Sequence, residues 1–257
     1  NGAEWVQLDE PCLVLDLDDA TREALRAAYA MFASALPKLK IMLTTYFDPL
    51  GDNLDTALEL PIAGLHLDLV RAPEQLDQVL AKAPRGLVLS LGVIDGRNVW
   101  RSDLSKLLDR LEPVVAKRGT DHLILAPSCS LLHVPVDLEL DTNLDPDLTS
   151  WLAFSIQKMG ELATLAQGLS GGRNAIRTAL TASDKAAAAR RTSPKIHNEA
   201  VAARIAAITP ETLARKSGFA VRSQAQRQRF GLPAFPTTTI GSFPQTAEVR
   251  KARAAHD

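Results

Sequence analysis

Five short apolar runs, at residues 5–8, 40–47, 64–70, 86–93 and 122–126, are separated by stretches whose apolar residues recur at helical spacing. That alternation narrows the possible folds more than any other feature of the chain. Residues 21–36 place Leu25, Ala28, Tyr29, Phe32 and Leu36 on one helical face, and Pro37 closes the segment. Pro73 suits the first turn of a helix that reaches about Lys82. Ser102 is expected to cap a helix carrying Leu104, Leu107, Leu108 and Leu111, ending near Gly119. Strands alternating regularly with helices predict an α/β fold with a parallel sheet, open or closed into a barrel.

Polar residues gather where each strand run ends: Asp9 and Glu10, Thr44 to Tyr46, Asp68, and Ser128 to Ser130. In a barrel that is the carboxyl-terminal rim, where active sites are built. The ordinary reading is equally available, since rim carboxylates also cap helices and pair with neighbours. Asp9 and Glu10 are adjacent and point to opposite faces of a strand, which argues against a shared acid–base site. His66, between Leu65 and Leu67, reads as a satisfied interior or interface histidine rather than a ligand. No His or Lys is placed to activate Cys129, and a Cys129-x-x-x-His133 pair is not by itself a metal site.

The second half changes character. Pro146 opens a long amphipathic segment through Trp151, Leu152, Phe154, Ile156, Met159, Leu162 and Leu165, ending in glycines at 168–172. An alanine-rich helix to about Arg191 follows, then further helices over 201–208 and 219–230, their arginines reading as solvated faces. Residues 1–150 carry 24 acidic and 13 basic side chains, whereas residues 151–257 carry 6 and 16. The basic half is poor in aromatics and holds no groove-reading motif, so nucleic acid is not the expected partner. No run approaches twenty apolar residues and no leader opens the sequence, so neither a membrane span nor secretion is expected. Two unpaired cysteines in 257 residues fit a reducing cytoplasm.

Near the end, Thr237 to Ile240 is a β-branched run, Gly241 and Ser242 break it, and Thr246 is placed to cap a helix from Ala247. A strand–turn–helix of this kind aims backbone N–H groups at an anion such as a carboxylate. The literal string Thr-Thr-Thr-Ile-Gly-Ser-Phe-Pro-Gln-Thr at 237–246 closely resembles the opening of the catalytic domain of cobalamin-independent methionine synthase. Residues 2–11, 43–47, 64–70, 96–101 and 128–133 resemble, in order, the amino-terminal barrel of the same family.

The resemblance implies a partial TIM-type βα barrel over 1–145, a helical end of barrel and linker over 146–232, and the start of a catalytic barrel over 233–257. It implies transfer of a methyl group from 5-methyltetrahydrofolate polyglutamate to homocysteine, with zinc and without cobalamin. Ile240, Gly241 and Ser242 would hold the amino-acid end of homocysteine. Catalytic groups and zinc ligands would lie beyond this stretch, because residues 43–47 offer no soft ligand, and Cys129 with Asp68 makes only two. The missing amino- and carboxyl-terminal parts of the same chain would be its partners, and this stretch alone would be inactive. A half barrel with two open sheet edges is expected to be marginally stable or to self-associate. The competing reading is a non-catalytic scaffold that kept the barrel and lost the zinc domain.

Overall fold

The structure is a computed structural model describing residues 2–237 and 246–256. It divides into two compact units, Asn1–Ile196 and His197–Asp257. The first runs β1 (Trp5–Asp9), α1 (Asp19–Ala35), β2 (Lys40–Thr44), α2 (Leu54–Glu59), β3 (Gly64–Asp68), α3 (Gln75–Lys82), β4 (Val88–Ile94), α4 (Leu104–Arg118), β5 (Leu123–Pro127), α5 (Pro146–Trp151), α6 (Ser155–Gly171) and α7 (Arg177–Thr192).

All four strand pairings are parallel, in the order β1-β2-β3-β4-β5. Each new strand joins the same growing edge. A doubly wound sheet reverses direction at a switch point, so this succession is that of a βα-barrel wall. The α/β expectation holds, and all five apolar runs are strands. β1 and β5 are the sheet's edges among the described residues.

One face of the sheet is apolar. Leu65 sits in register between Leu43 and Leu89, and Leu67 beside Leu91, all fully buried. Leu104, Leu108 and Leu111 of α4, with Val79 of α3 and Ala57 of α2, join that core. Each buried leucine contributes about 1.5–3 kcal/mol relative to exposure. On the other face Thr44, His66 and Ser90 lie side by side in register, all buried.

The helices depart from the sequence expectation in three places. Asp103, not Ser102, caps α4, its Oδ1 accepting the Lys106 N–H at 3.2 Å. Ser102 is engaged elsewhere: its N–H and hydroxyl both donate to the Glu161 carboxylate, at 2.9 and 2.7 Å. The segment expected to run unbroken from Pro146 is two helices, because Leu152 forms an antiparallel bridge with Trp100 and the Ala153 N–H donates to the Val99 carbonyl. Extended backbone there interrupts the helix. The buried face of α6 also differs. Lys158, Glu161 and Leu165 are buried, while Ile156 and Met159, expected on the apolar face, are 46% and 53% exposed.

The second unit comprises α8 (Glu199–Ala206), α9 (Pro210–Leu213), α10 (Phe219–Phe230) and α11 (Ala247–His256). Asn198 caps α8 by accepting from the Val201 N–H, and Gly231 ends α10 at φ 62°, the left-handed conformation that favours glycine. Thr246 accepts the Val249 N–H at 3.3 Å, the cap expected for α11.

Candidate functional site at the carboxyl ends of the strands

β2, β3 and β4 are neighbours in the sheet, and the loops after β2 and β3 meet at Asp68. Its Oδ2 accepts the Phe47 N–H at 3.0 Å, while Oδ1 accepts those of Val70 and Arg71 at 3.0 and 2.9 Å. The side chain is 1% exposed. A carboxylate surrounded by backbone donors holds the β2 and β3 loops together; its lone pairs are engaged by the fold.

Phe47, at φ 80°, is the described non-glycine residue with positive φ. Its ring packs edge-on against Tyr46, lies near His133, and carries the Arg97 guanidinium 4.6 Å from its centroid. The strained backbone is thus fixed from both ends, by Asp68 at the amide and by a cation over the ring.

His66 fulfils the sequence reading of a satisfied interior histidine. Its Nε2 faces the Ser128 carbonyl at 3.2 Å, and its Nδ1 faces Ser90 Oγ at 2.9 Å. A carbonyl only accepts, so Nε2 carries the proton and Nδ1 accepts from the Ser90 hydroxyl. Burial pushes its pKa below the ordinary value, outweighing the raising effects of the Ser128 carbonyl and Asp68. Space for the ring comes from Gly92: a Cβ there would stand 2.9 Å from His66 Cε1 and 2.6 Å from the Leu67 carbonyl. A glycine inside a strand pattern was the available signal for this close approach.

Asp9 and Glu10 do diverge. Asp9 accepts from the Tyr46 hydroxyl at 3.3 Å, and Glu10 accepts from the Tyr29 hydroxyl of α1 at 3.1 Å. Burial, with Asp9 alongside, raises the Tyr46 pKa. Thr45 donates its hydroxyl to the His66 carbonyl, whereas the buried Thr44 hydroxyl has no partner among the described residues. Ser128 Oγ accepts the Gly96 N–H, and Ser130 caps the short turn Leu131–His133.

Cys129 is buried, and burial raises its pKa, so the thiol is held protonated. Among the described residues no three His, Cys, Asp or Glu side chains converge to hold a metal ion. With the Asp68 oxygens taken by backbone amides, the residues described here do not fit zinc. Ile240, Gly241 and Ser242 lie outside the described residues.

Sequence reasoning missed Lys158, Glu161 and Ser183, which fix the loop after β4. Lys158 donates to the Trp100 carbonyl at 3.1 Å, and Ser183 accepts from the Leu104 N–H and donates to the Ser102 carbonyl. Burial lowers the Lys158 pKa and raises that of Glu161. The arginine at 190, read as part of a solvated face, instead lies 4.4 Å over the Trp100 ring.

Residues 1–119 match the family model described as cobalamin-independent synthase, N-terminal domain, and residues 235–257 match the model described as its catalytic domain. The chain is 69% identical over 255 residues to a 5-methyltetrahydropteroyltriglutamate–homocysteine methyltransferase of Nitrobacter winogradskyi, covering 99% of this chain and 33% of that protein. A protein of the same name from Rhodopseudomonas palustris is likewise 69% identical, with 99% and 32% covered. One from Caulobacter vibrioides is 61% identical over 254 residues, with 99% and 33% covered. The chain therefore spans about a third of the length of these curated relatives. Among solved structures, a putative vitamin-B12-independent methionine synthase from Listeria monocytogenes aligns with a TM-score of 0.40 at 20% identity, over 51% of this chain and 42% of that one.

Proposed function

Given that the chain belongs to the cobalamin-independent synthase family, we propose that it forms part of a methyltransferase carrying a methyl group from 5-methyltetrahydropteroyltriglutamate to homocysteine. The observation that carries this reading is the match of residues 235–257 to the catalytic-domain model, over the stretch that contains Thr-Ile-Gly-Ser-Phe-Pro. The sheet of residues 1–145 is then the later part of an amino-terminal barrel, 146–232 its helical end and the linker, and 233–257 the opening of the catalytic barrel. In this reading Ile240, Gly241 and Ser242 hold the amino-acid end of homocysteine. Gly241 admits close backbone approach, and Ser242 adds a hydroxyl donor to the carboxylate. Any zinc would be held by residues outside this chain, and methyl transfer would need those residues present. Two free cysteines are in keeping with a reducing cytoplasm, and no described helix is long and apolar enough to cross a membrane.

The test is Ser242→Ala in a polypeptide that includes the complete catalytic domain, read by calorimetric titration with homocysteine. A hydrogen bond to a charged group is worth about 1.5–3 kcal/mol, so affinity should fall roughly tenfold or more. Unchanged affinity would overturn the assignment.

A further inference from the structure

A cavity of about 530 Å³ opens between the loop after β4, the start of α4 and the end of α7. Five cations line it, Arg101, Lys106, Arg110, Arg190 and Arg191, against two carboxylates, Asp95 and Asp103. Both carboxylates are engaged close by. Asp103 caps α4 and meets Lys106 and Arg191 at 3.5 and 3.6 Å, while Asp95 accepts from the Arg97 N–H and the Asn98 amide. Arg110 donates to the carbonyls of Leu69 and Pro73. Among the described residues, no carboxylate stands within ion-pair distance of Arg101 or Arg190. Arg190 Cζ stands 4.4 Å over the Trp100 ring, and a guanidinium engaged with an aromatic face still has N–H groups to donate.

The loop presenting Trp100 and Arg101 is tied down with unusual thoroughness. The Arg101 N–H donates to the Trp151 carbonyl at 2.7 Å, Lys158 holds the Trp100 carbonyl, and Glu161 and Ser183 hold Ser102. Lys158 is 0% exposed. A buried ammonium and a buried carboxylate are costly to keep. Here both serve to fix the backbone of one loop, and side chains on such a loop are preorganised for binding. A separate sign comes from Trp151, which lines the cavity at 3% exposure and whose indole N–H lacks a hydrogen-bond partner among the described residues.

We propose that this cavity binds a phosphoryl group, clamped by Arg101 from the loop, Lys106 from α4 and Arg190 from α7. Donors arriving from three separate elements surround a tetrahedral oxyanion, whereas a planar carboxylate is satisfied by one guanidinium edge. The excess of three positive charges among the lining residues matches a dianion or trianion. The proposal is independent of the methyltransferase reading, and a methyl-transfer assay does not test it.

Two of the three tryptophans, Trp100 and Trp151, line the cavity, so intrinsic fluorescence reports on it. The experiment titrates pyrophosphate, and separately citrate, into the 257-residue chain at low ionic strength and pH 8. Wild type, Arg101→Gln and Arg190→Gln are compared, with Arg85→Gln as a control away from the cavity and far-UV circular dichroism as the check on folding. The expected result is a saturable change with pyrophosphate that weakens about tenfold in either cavity variant, persists in Arg85→Gln, and declines as salt is raised. No saturable response, equal affinity in the cavity variants, or tighter binding of citrate than of pyrophosphate would each overturn the assignment.

Discussion

The Asp68 carboxylate accepts the backbone N–H of Phe47 at 3.0 Å, joining the end of β3 to a residue of positive φ just past the end of β2. Two more backbone donors, from Val70 and Arg71, reach its other oxygen. Asp68→Ala should therefore cost about 3 kcal/mol, because amides are left without an acceptor in a buried place. Asp68→Asn keeps one acceptor oxygen and should cost roughly half as much. Urea melts of the two variants check the order; an alanine variant as stable as wild type would contradict it.

Gly92, inside β4, and Gly86, two residues before it, carry opposite expectations. A Cβ on Gly92 would meet the Leu67 carbonyl at 2.6 Å and Ser128 Cα at 2.8 Å, both backbone and unable to yield alone, whereas one on Gly86 meets nothing within 4 Å. Gly92→Ala should lose about 1–3 kcal/mol through overpacking, and Gly86→Ala should fall within about 0.5 kcal/mol of wild type. Thermal denaturation of the pair separates them.

His66 makes stability depend on pH. Its folded pKa lies below the ordinary 6.5, so the neutral ring is the folded form and the unfolded chain takes up the proton first on acidification. The contribution is complete above about pH 6.5 and is lost as pH falls from there toward the folded value. Glu161, whose pKa burial raises, acts in the opposite sense: its destabilising contribution is relieved on acidification. Comparing wild type with His66→Gln between pH 7.5 and 5.5 isolates the histidine. The wild type should lose more stability over that interval, and parallel curves would contradict the assignment.

Glu161→Ala should loosen the loop after β4, since it removes the acceptor for both the N–H and the hydroxyl of Ser102. A loss of about 2–3 kcal/mol is expected, against less for Glu161→Gln, whose amide oxygen still accepts one of the two bonds. Hydrogen exchange at the Ser102 amide gives the local readout: faster in the alanine variant, and slower again in glutamine.

The strands were legible because each is a short apolar run between helical stretches, and the five runs became the five strands. α1 and α4 were legible from periodicity closed by Pro37 and Gly119. α2 was not, since six residues carry too little periodicity to separate from the loop before them. The unbroken helix expected from Pro146 failed for a long-range reason: Leu152 pairs with Trp100, 52 positions earlier, and no local signal announces that bridge. The choice of Asp103 over Ser102 as the α4 cap has the same origin, because either could cap and Glu161 claims the serine. Burial of Lys158 and Glu161 contradicts the usual weighting of charge toward solvent, so periodicity pointed to Ile156 and Met159 instead. For the rim, sequence placed the polar residues correctly at strand ends but could not tell a carboxylate available to a ligand from one, like Asp68, filled by backbone amides.

The anchors of the loop after β4 have a consequence for biosynthesis. The groups that fix residues 100–102 from a distance, Trp151, Lys158, Glu161 and Ser183, lie 50 to 81 positions further along the chain. On a ribosome adding about 5–20 residues per second, β1 to β4 emerge and can pair several seconds before those anchors exist. During that interval the buried-charge network cannot form, and Ser102 and the Trp100 carbonyl remain hydrated. The sheet is thus able to assemble as an early local structure, while the loop set on top of it waits for α6 and α7 and locks last.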